Sequence, residues 1–444
     1  MTDTNNTNGK GQTVYLETYG CQMNEYDTEI VRAILARNQF DFTETPEAAG
    51  IILINTCSVR ENAHQRVHAR ISTLKQLKKK RSDLIIGVLG CMAQNLKKAL
   101  LEDKSGIDLI VGPDNYKALP VIINRVRETG EKEFALTLSE YEDYADVFPT
   151  SRHGINAWLT VMRGCDNYCT FCVVPYVRGH ERSRDPQNVI EETRQLAAQG
   201  FKQVTLLGQN VNSYSFNGLD FASLITAVSQ IDGIKRIRFT SPHPKDFPEA
   251  LICVVRDNPK ACKHVHLPLQ AGSSRILDLM NRTYTREEYV ALAKRLRETI
   301  PGLALTTDII VGFPTETDAE YEETLEVMRE VEFDAAFMFA YSERKGTPAA
   351  KRYPDDISDE TKSKRMVQLV EQQRQISYQR NQAHLGQVFE VMVEGPAKKR
   401  GQLMGRNDGN KIVVFSDTVA QPGDLVNVKI NEVTPNTLIG ELVT

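Results

Sequence analysis

The sequence predicts an α/β protein in three parts: an amino-terminal open parallel α/β sheet, a central partial (β/α)6 barrel, and a small OB-like β-barrel at the carboxyl end. Three observations predict this. Short apolar runs alternate with helical periodicity from about residue 12 to residue 382, the pattern of a mostly parallel sheet. Beyond residue 384 only short alternating runs remain, broken by Gly and Pro turns. The chain has 444 residues, more than one compact core serves, and its 41% hydrophobic content is enough to fill several.

In the first part, strands are expected at Val14–Thr18, Ile51–Asn55, Leu84–Leu89 and Leu109–Gly112. Helices are expected over Asn24–Arg37 and Val59–Lys80, with Asn24 and Ser58 as amino-terminal caps. The acidic stretch Glu140–Asp146 reads as a solvated linker. In the central part, strands are expected at Trp158–Met162, Val204–Leu207, Arg236–Phe239, Val265–Leu267, Leu305–Val311 and Ala335–Ala340. Helical stretches such as Gln187–Gln199, Phe221–Ile231, Thr285–Thr299 and Ala319–Val331 separate them, making six β/α units. A polar helix over Asp359–His384 leads to the last part, where five strands are expected at Val388–Glu394, Gly401–Gly405, Lys411–Phe415, Leu425–Asn431 and Thr437–Leu442. The expected limits are a disordered lead over 1–12, a first domain over 13–130, a linker over 131–149, a core over 150–382 and a final domain over 384–444.

The formal charge of −4 gives no overall attraction to nucleic acid. Phosphate affinity depends on local clusters of Lys and Arg rather than on the sum, so an RNA partner is not excluded. The Thr- and Asn-rich start has no apolar core, and no later stretch approaches the length of a membrane span. A cytoplasmic protein without membrane contact is expected. The chain has eight cysteines, which in a reducing compartment argue for metal or catalytic use over disulfides. Cys253 and Cys262 fit no pattern and read as small buried apolar residues.

The other six cysteines do form patterns. Cys165, Cys169 and Cys172 lie in a C-x-x-x-C-x-x-C run, close enough to share one metal centre but one ligand short of a tetrahedral set. A lone run of this kind is more often a zinc knuckle. Here no second C-x-x-C or nearby His follows, Phe171 sits inside the loop, and a long α/β pattern surrounds it, which favours iron. Cys21, Cys57 and Cys91 each follow a predicted strand. In an open parallel sheet the carboxyl ends of the strands line one rim, so the three converge. The competing reading is three independent buried thiols. Against it stand the repeated position and the glycines Gly20 and Gly90 before two of the three.

The C-x-x-x-C-x-x-C run resembles the cluster loop of the radical S-adenosylmethionine (SAM) enzymes. Tyr19-Gly20-Cys21-Gln22-Met23-Asn24, Asn55-Thr56-Cys57-Ser58-Val59-Arg60 and Gly90-Cys91-Met92-Ala93-Gln94 resemble the amino-terminal domain of the methylthiotransferases within them. The resemblance implies a radical SAM core and two 4Fe-4S clusters, one on Cys165, Cys169 and Cys172 and an auxiliary one on Cys21, Cys57 and Cys91, these six being the catalytic residues. It implies SAM contacts at Phe171, Gly208, Gln209, Asn210, Gln270 and Asp308. Gly208-Gln209-Asn210 lacks the acid of the superfamily's Gly-Gly-Glu loop, and Glu316 falls one residue late for the adenine-side motif. His243 reads as a base, a ligand or a packed residue, whereas His264 reads as structural.

The last part resembles a TRAM domain, an RNA-binding module, with Lys398, Lys399 and Arg400 as its clearest basic patch. Arg178, Arg182 and Arg184, in the run after the cluster loop, are expected to grip RNA phosphate or the SAM carboxylate. The reaction implied is insertion of a methylthio group at carbon 2 of N6-dimethylallyladenosine at tRNA position 37, beside the anticodon. That C–H bond is unactivated, so a SAM-derived radical must break it, and the base must be splayed from its stack. Implied partners are the tRNA anticodon stem-loop, an electron donor such as a flavodoxin or ferredoxin, and a sulfur source; a monomer is expected. The alternatives are methylthiolation of a threonylcarbamoyl-adenosine in tRNA or of a ribosomal-protein aspartate, and a non-catalytic zinc-containing RNA-binding protein.

Overall fold

The computed structural model describes residues 12–58, 61–101, 106–149, 154–416 and 419–443. Apart from Gln12, the expected lead lies outside them, as do Val59 and Arg60. The chain separates into two compact units. One comprises the described part of residues 1–153 with Met162–Asp166 and Cys172–Arg184, and the other comprises 154–161, Asn167–Phe171 and 185–444.

The first unit is built on a six-stranded sheet in the order β2-β1-β3-β4-β5-β6. Its strands are β1 (Thr13–Tyr19), β2 (Asp41–Phe42), β3 (Ile51–Thr56), β4 (Ile85–Leu89), β5 (Leu109–Val111) and β6 (Glu133–Ala135), and all neighbours pair in parallel. Helices α1 (Gln22–Arg37), α2 (Glu61–Lys80), α3 (Cys91–Leu96) and α4 (Leu119–Thr129) connect them. The central strands β3, β4 and β5 are buried throughout, so they read as unbroken apolar runs rather than as alternation. The edge strands β2 and β6 are short and partly exposed, and they carry little of that signal.

Two expectations are corrected here. Cys21, not Asn24, occupies the cap of α1, and Asn24 is buried inside the helix; Ser58 is buried, and its hydroxyl has no partner among the described residues. The acidic stretch is not simply a solvated linker. Tyr144 is fully buried, donates from its hydroxyl to the Pro113 carbonyl at 2.8 Å, and accepts from the Tyr116 amide at 3.0 Å. The same unit contains the short pair β8 (Met162–Arg163) and β9 (Arg182–Ser183), with α5 (Val174–Arg178) between them.

The second unit contains two parallel three-stranded sheets, β13-β10-β7 and β14-β15-β16. Their strands are β7 (Asn156–Thr160), β10 (Gln203–Leu207), β13 (Arg236–Phe239), β14 (His264–His266), β15 (Ala304–Val311) and β16 (Ala335–Ala340), and a parallel bridge from Ile237 to Ala261 joins the two halves. A small hairpin, β11 (Ser215–Phe216) with β12 (Leu219–Asp220), follows β10. The helices are α6 (Pro186–Ala198), α7 (Phe221–Ser229), α8 (Glu249–Asp257), α9 (Ser274–Leu279), α10 (Arg286–Thr299), α11 (Asp318–Val331) and α12 (Pro348–Arg352). Asp185, Asp220, Thr285, Thr317 and Thr347 cap five of them through their side chains, Thr285 and Thr317 as full capping boxes. On β15 alternate residues Leu305, Thr307, Ile309 and Val311 are fully buried, while Thr306, Asp308 and Ile310 face a less covered side.

Helix α13 (Asp359–Gln382) leads to a closed five-stranded barrel in the order β17-β18-β19-β21-β20. These strands are β17 (Val388–Pro396), β18 (Gln402–Asn407), β19 (Ile412–Ser416), β20 (Leu425–Val433) and β21 (Thr437–Leu442), around a core of Val391, Val393, Val413, Phe415, Val428, Ile430 and Leu438. This barrel is fastened to the starts of the β13 and β16 strands. Arg236 donates to the carbonyls of Arg406 at 2.6 Å and Glu390 at 2.9 Å, Arg238 donates to Asn407 O at 2.8 Å, and Lys411 pairs with Asp334 at 2.8 Å. Docking at the amino ends of the strands leaves their carboxyl ends to other loops.

Candidate functional site

In the first unit, β1, β3 and β4 lie side by side and parallel, so Cys21, Cys57 and Cys91 leave the sheet on one rim. The glycines are sterically required. A Cβ on Gly20, whose φ is +142°, would lie 2.5 Å from Cys57 Cβ, and one on Gly90, at φ +85°, would lie 2.3 Å from Asn55 Oδ1. Asn55, at the end of β3, ties that strand to α1. Its Nδ2 donates to Asn24 O at 3.0 Å, and its Oδ1 accepts from Asn24 Nδ2 at 3.2 Å. Cys21 is pulled down to about 6 by a hydrogen bond with Cys57 and by the nearby Arg178 charge, against burial. Burial pushes Cys91 up, and Arg178 opposes it. Cys21 Sγ donates to Asn24 Oδ1 at 3.3 Å, and both Cys21 and Cys91 lie in the field of Arg178.

Arg178, Arg182 and Arg184 are not surface phosphate ligands, which corrects the sequence expectation: all three are buried. Arg178 donates from Nη2 to Asp27 Oδ2 at 2.7 Å and from Nε to Cys91 Sγ at 3.1 Å. Arg182 pairs with Asp114 at 2.9 Å, and Arg184 donates to the Tyr26 hydroxyl at 3.0 Å. A fourth buried guanidinium, Arg163, donates to Asp27 Oδ1 at 2.7 Å and lies over the Tyr144 ring. Burial opposes charge on Asp27, but Arg178 and Arg163 outweigh it and hold the carboxyl below its usual range.

Three buried guanidiniums, Arg163, Arg178 and Arg182, thus share the carboxylates of Asp27 and Asp114, and the fourth, Arg184, is held by the Tyr26 hydroxyl. Nη1 of Arg178, and Nε and Nη1 of Arg163, are buried without a partner among the described residues. Excess buried positive charge with spare donors, set against three thiols, fits an anionic thiolate-bound group. Among the described residues no set of three His, Cys, Asp or Glu is already closed to metal-holding geometry.

The cluster loop divides between the units. In the first, Gly164 has φ +81° and a Cβ there would meet the His180 carbonyl at 1.8 Å, while Cys165 N donates to Gly179 O at 3.1 Å. Cys172 Sγ accepts from the Val174 amide at 3.4 Å. In the second, the turn after α9 holds residues 167–171. Thr170 N donates to Met280 O at 3.0 Å, Asn281 Nδ2 donates to Asn167 O at 3.0 Å, and Arg282 Nη1 donates to Cys169 Sγ at 3.1 Å. Phe171 is half-buried.

The expected SAM positions lie at strand ends of the second unit. Gly208 and Asn210 are buried after β10, with Gln209 half-buried, and Asn210 Nδ2 donates to Asp246 Oδ2 at 3.2 Å. Gln270, at φ +74°, exchanges backbone hydrogen bonds with Asp308 and Ile310, and Asp308 faces His266 at 3.2 Å. The late Glu316 closes its own loop, accepting from Gly312 N at 2.6 Å and from Arg365 at 2.7 Å. His243 is buried and pushed down to about 2, chiefly by burial and then by Arg282. Its Nδ1 accepts from the Lys245 amide at 3.3 Å, so the ring is a neutral, packed cap of the following turn. His264 is likewise pushed down to about 3 by burial, and its Nε2 meets Thr306 at 3.1 Å. Cys262 is buried as expected, whereas Cys253 is only partly so.

Lys398, Lys399 and Arg400 are exposed in the turn between β17 and β18. No helix among the described residues is long and apolar enough to cross a membrane. The sequence reading missed Asp27, Arg163 and Arg282. Arg163 could have been found from its position immediately before Gly164-Cys165, but nothing near Arg282 marks its sulfur contact.

Family models match in three places: the radical SAM superfamily over residues 159–328, the uncharacterized protein family UPF0004 over 13–112, and the TRAM domain over 382–443. A cobalamin-binding radical SAM methyltransferase from Kitasatospora setae, TsrM, has a similar fold, with a TM-score of 0.58 at 15% identity over 76% of this chain and 77% of its own. The tRNA-2-methylthio-N(6)-dimethylallyladenosine synthase of Chloroherpeton thalassium is 47% identical over 430 residues, covering 96% of this chain and 95% of that protein. The synthase of Phocaeicola vulgatus is 45% identical over 443 residues, covering 98% and 97%. A core that matches the radical SAM superfamily, which implies SAM and a 4Fe-4S cluster, joined to a TRAM domain and matched along almost its whole length by these enzymes, places the chain in the tRNA-2-methylthio-N(6)-dimethylallyladenosine synthase (MiaB) family of radical SAM enzymes.

Proposed function

We propose that this tRNA methylthiotransferase works through two separate three-cysteine sites, with Cys165, Cys169 and Cys172 holding the radical SAM cluster and Cys21, Cys57 and Cys91 holding an auxiliary 4Fe-4S cluster. The observation that carries the second site is the rim of β1, β3 and β4, where three cysteines meet an excess of buried guanidinium charge. When bound, SAM and the clusters supply the electron, the hydrogen-abstracting radical and the sulfur that carbon 2 of the adenine needs.

The chain's own residues hold and insulate these groups. Gly20 and Gly90 let the backbone turn so that the thiols converge. Asp27 fixes Arg178 against Cys91, and the buried arginines offset the negative charge of three thiolates. Asn281 and Met280 fasten the middle of the cluster loop. Phe171, Gly208, Gln209, Asn210, Gln270 and Asp308 border the SAM site, with Gln209 and Asn210 offering neutral hydrogen bonds where the superfamily has an acid.

The exposed Lys398, Lys399 and Arg400 hold the tRNA backbone electrostatically while the base is splayed into the barrel. The domains run over 13–130, 150–382 and 384–444. A low-potential electron donor such as a flavodoxin or ferredoxin, a sulfur source and a cytoplasmic monomer complete the reading. Iron analysis after anaerobic reconstitution tests it: about eight irons per chain follow from two four-iron clusters, and about four would remove the auxiliary site.

A further inference from the structure

We propose that Arg178 and Arg282 are paired positioning residues, each donating one charged N–H to a single ligand sulfur and thereby setting the reduction potential of its own cluster independently of the other. The inference rests on the two-cluster assignment above. In each unit, one buried arginine approaches one of the six cysteines: Arg178 Nε reaches Cys91 Sγ at 3.1 Å, and Arg282 Nη1 reaches Cys169 Sγ at 3.1 Å.

Neither side chain is free to swing away. Arg178 is held by Asp27 at 2.7 Å, and that carboxylate is itself pinned from its other oxygen by Arg163 at 2.7 Å and approached by the Tyr116 hydroxyl at 3.2 Å. Arg282 is held by the Tyr284 hydroxyl at 3.0 Å, which donates in turn to the carbonyl of Leu269 at 2.9 Å. Both arginines are at least nine-tenths buried.

Two guanidiniums on Asp27 leave one positive charge over, and no carboxylate contacts Arg282 among the described residues. Reduction adds one negative charge to a cluster. A fixed cationic donor on a ligand sulfur stabilises that added charge more than it stabilises the oxidised form, and a low-dielectric setting enlarges the difference. Each arginine therefore raises the potential of the cluster it touches. A lysine keeps the charge but lacks the planar fork that serves carboxylate and sulfur together.

The test is a spectroelectrochemical titration, monitored by electron paramagnetic resonance, of full-length chains carrying one cluster at a time. Arg282→Lys and Arg282→Gln are made in a chain with Cys21, Cys57 and Cys91 replaced by Ala. Arg178→Lys and Arg178→Gln are made in a chain with Cys165, Cys169 and Cys172 replaced by Ala. At the potential where each parent is half reduced, the Gln variants should show about a tenfold lower ratio of reduced to oxidised cluster, equivalent to about 59 mV for one electron. The Lys variants should fall between. In the two-cluster chain, Arg282→Gln should leave the auxiliary midpoint unmoved, and Arg178→Gln the other.

Unchanged midpoints with full iron and sulfide content would overturn the proposal. So would iron loss from the Lys variants with unaltered circular dichroism, in favour of a role in assembly. A Cys165, Cys169, Cys172 triple variant that binds no cluster at all would instead overturn the auxiliary site, and the Arg178 half with it. The Arg282 half is decided by its own titration.

Discussion

At the residue scale, buried charge organises the first unit. Asp27 is fully buried between two guanidiniums, so removing its charge strands both. Asp27→Asn should lower stability by about 3–5 kcal/mol, the usual cost of breaking a buried ion pair from one side, read as a lower thermal midpoint and reduced iron content after reconstitution. An unchanged midpoint would show that Asp27 is not what holds the arginines. Of the residues that matter here, the cysteines were legible, because C-x-x-x-C-x-x-C is local and the other three share one place after a strand. Arg178, Arg182 and Arg184 were visible but misread. A basic run looks like a phosphate grip until its burial is known, and burial depends on Asp27 and Asp114, which are distant in sequence. Arg282 was not legible at all, since its contact with Cys169 exists only once α9 has docked.

At the element scale, the fully buried strands β3, β4 and β5 announced themselves as apolar runs, and Arg236–Phe239, Ala335–Ala340 and Thr437–Leu442 have the expected limits although the last two are only partly buried. The edge strands β2 and β6 did not, because short, half-exposed strands bury too little to shape the sequence. The capping box of α11 gives a pH prediction. Glu320 is pulled down to about 2, first by its hydrogen bond with Arg275 and then by the Thr317 amide and hydroxyl, against burial. A carboxyl depressed in the fold stabilises it above the unfolded value and loses that contribution as pH falls through the folded one. Glu320→Gln should therefore unfold at lower temperature than the parent at pH 7, and the gap should close as pH falls from about 4.5 toward 2. A gap that stayed constant with pH would assign the effect to packing.

At the scale of the whole molecule, the last part was readable because its short alternating strands break the strand-and-helix pattern that the first two parts share, and those two were told apart by their cysteine motifs, but the docking of the last barrel was not legible. Arg236 and Arg238 reach backbone carbonyls around residue 407, contacts with no sequence signature. That barrel exposes Lys398, Lys399 and Arg400, and replacing all three by Ala should weaken tRNA binding and reduce the slope of log affinity against log salt by about one per lost phosphate contact. SAM cleavage without tRNA should be unaffected; a salt slope equal to the parent's would place the RNA surface elsewhere.

The central claim is that two three-cysteine sites divide the reaction, and nucleoside mass spectrometry on one pair of variants tests it most directly. Reconstituted chain, SAM, a reductant and tRNA bearing N6-dimethylallyladenosine should yield the 2-methylthio product. Cys57→Ala should still form 5′-deoxyadenosine while leaving the tRNA unmethylthiolated, and Cys169→Ala should form neither product. Full methylthiolation by Cys57→Ala would contradict the account.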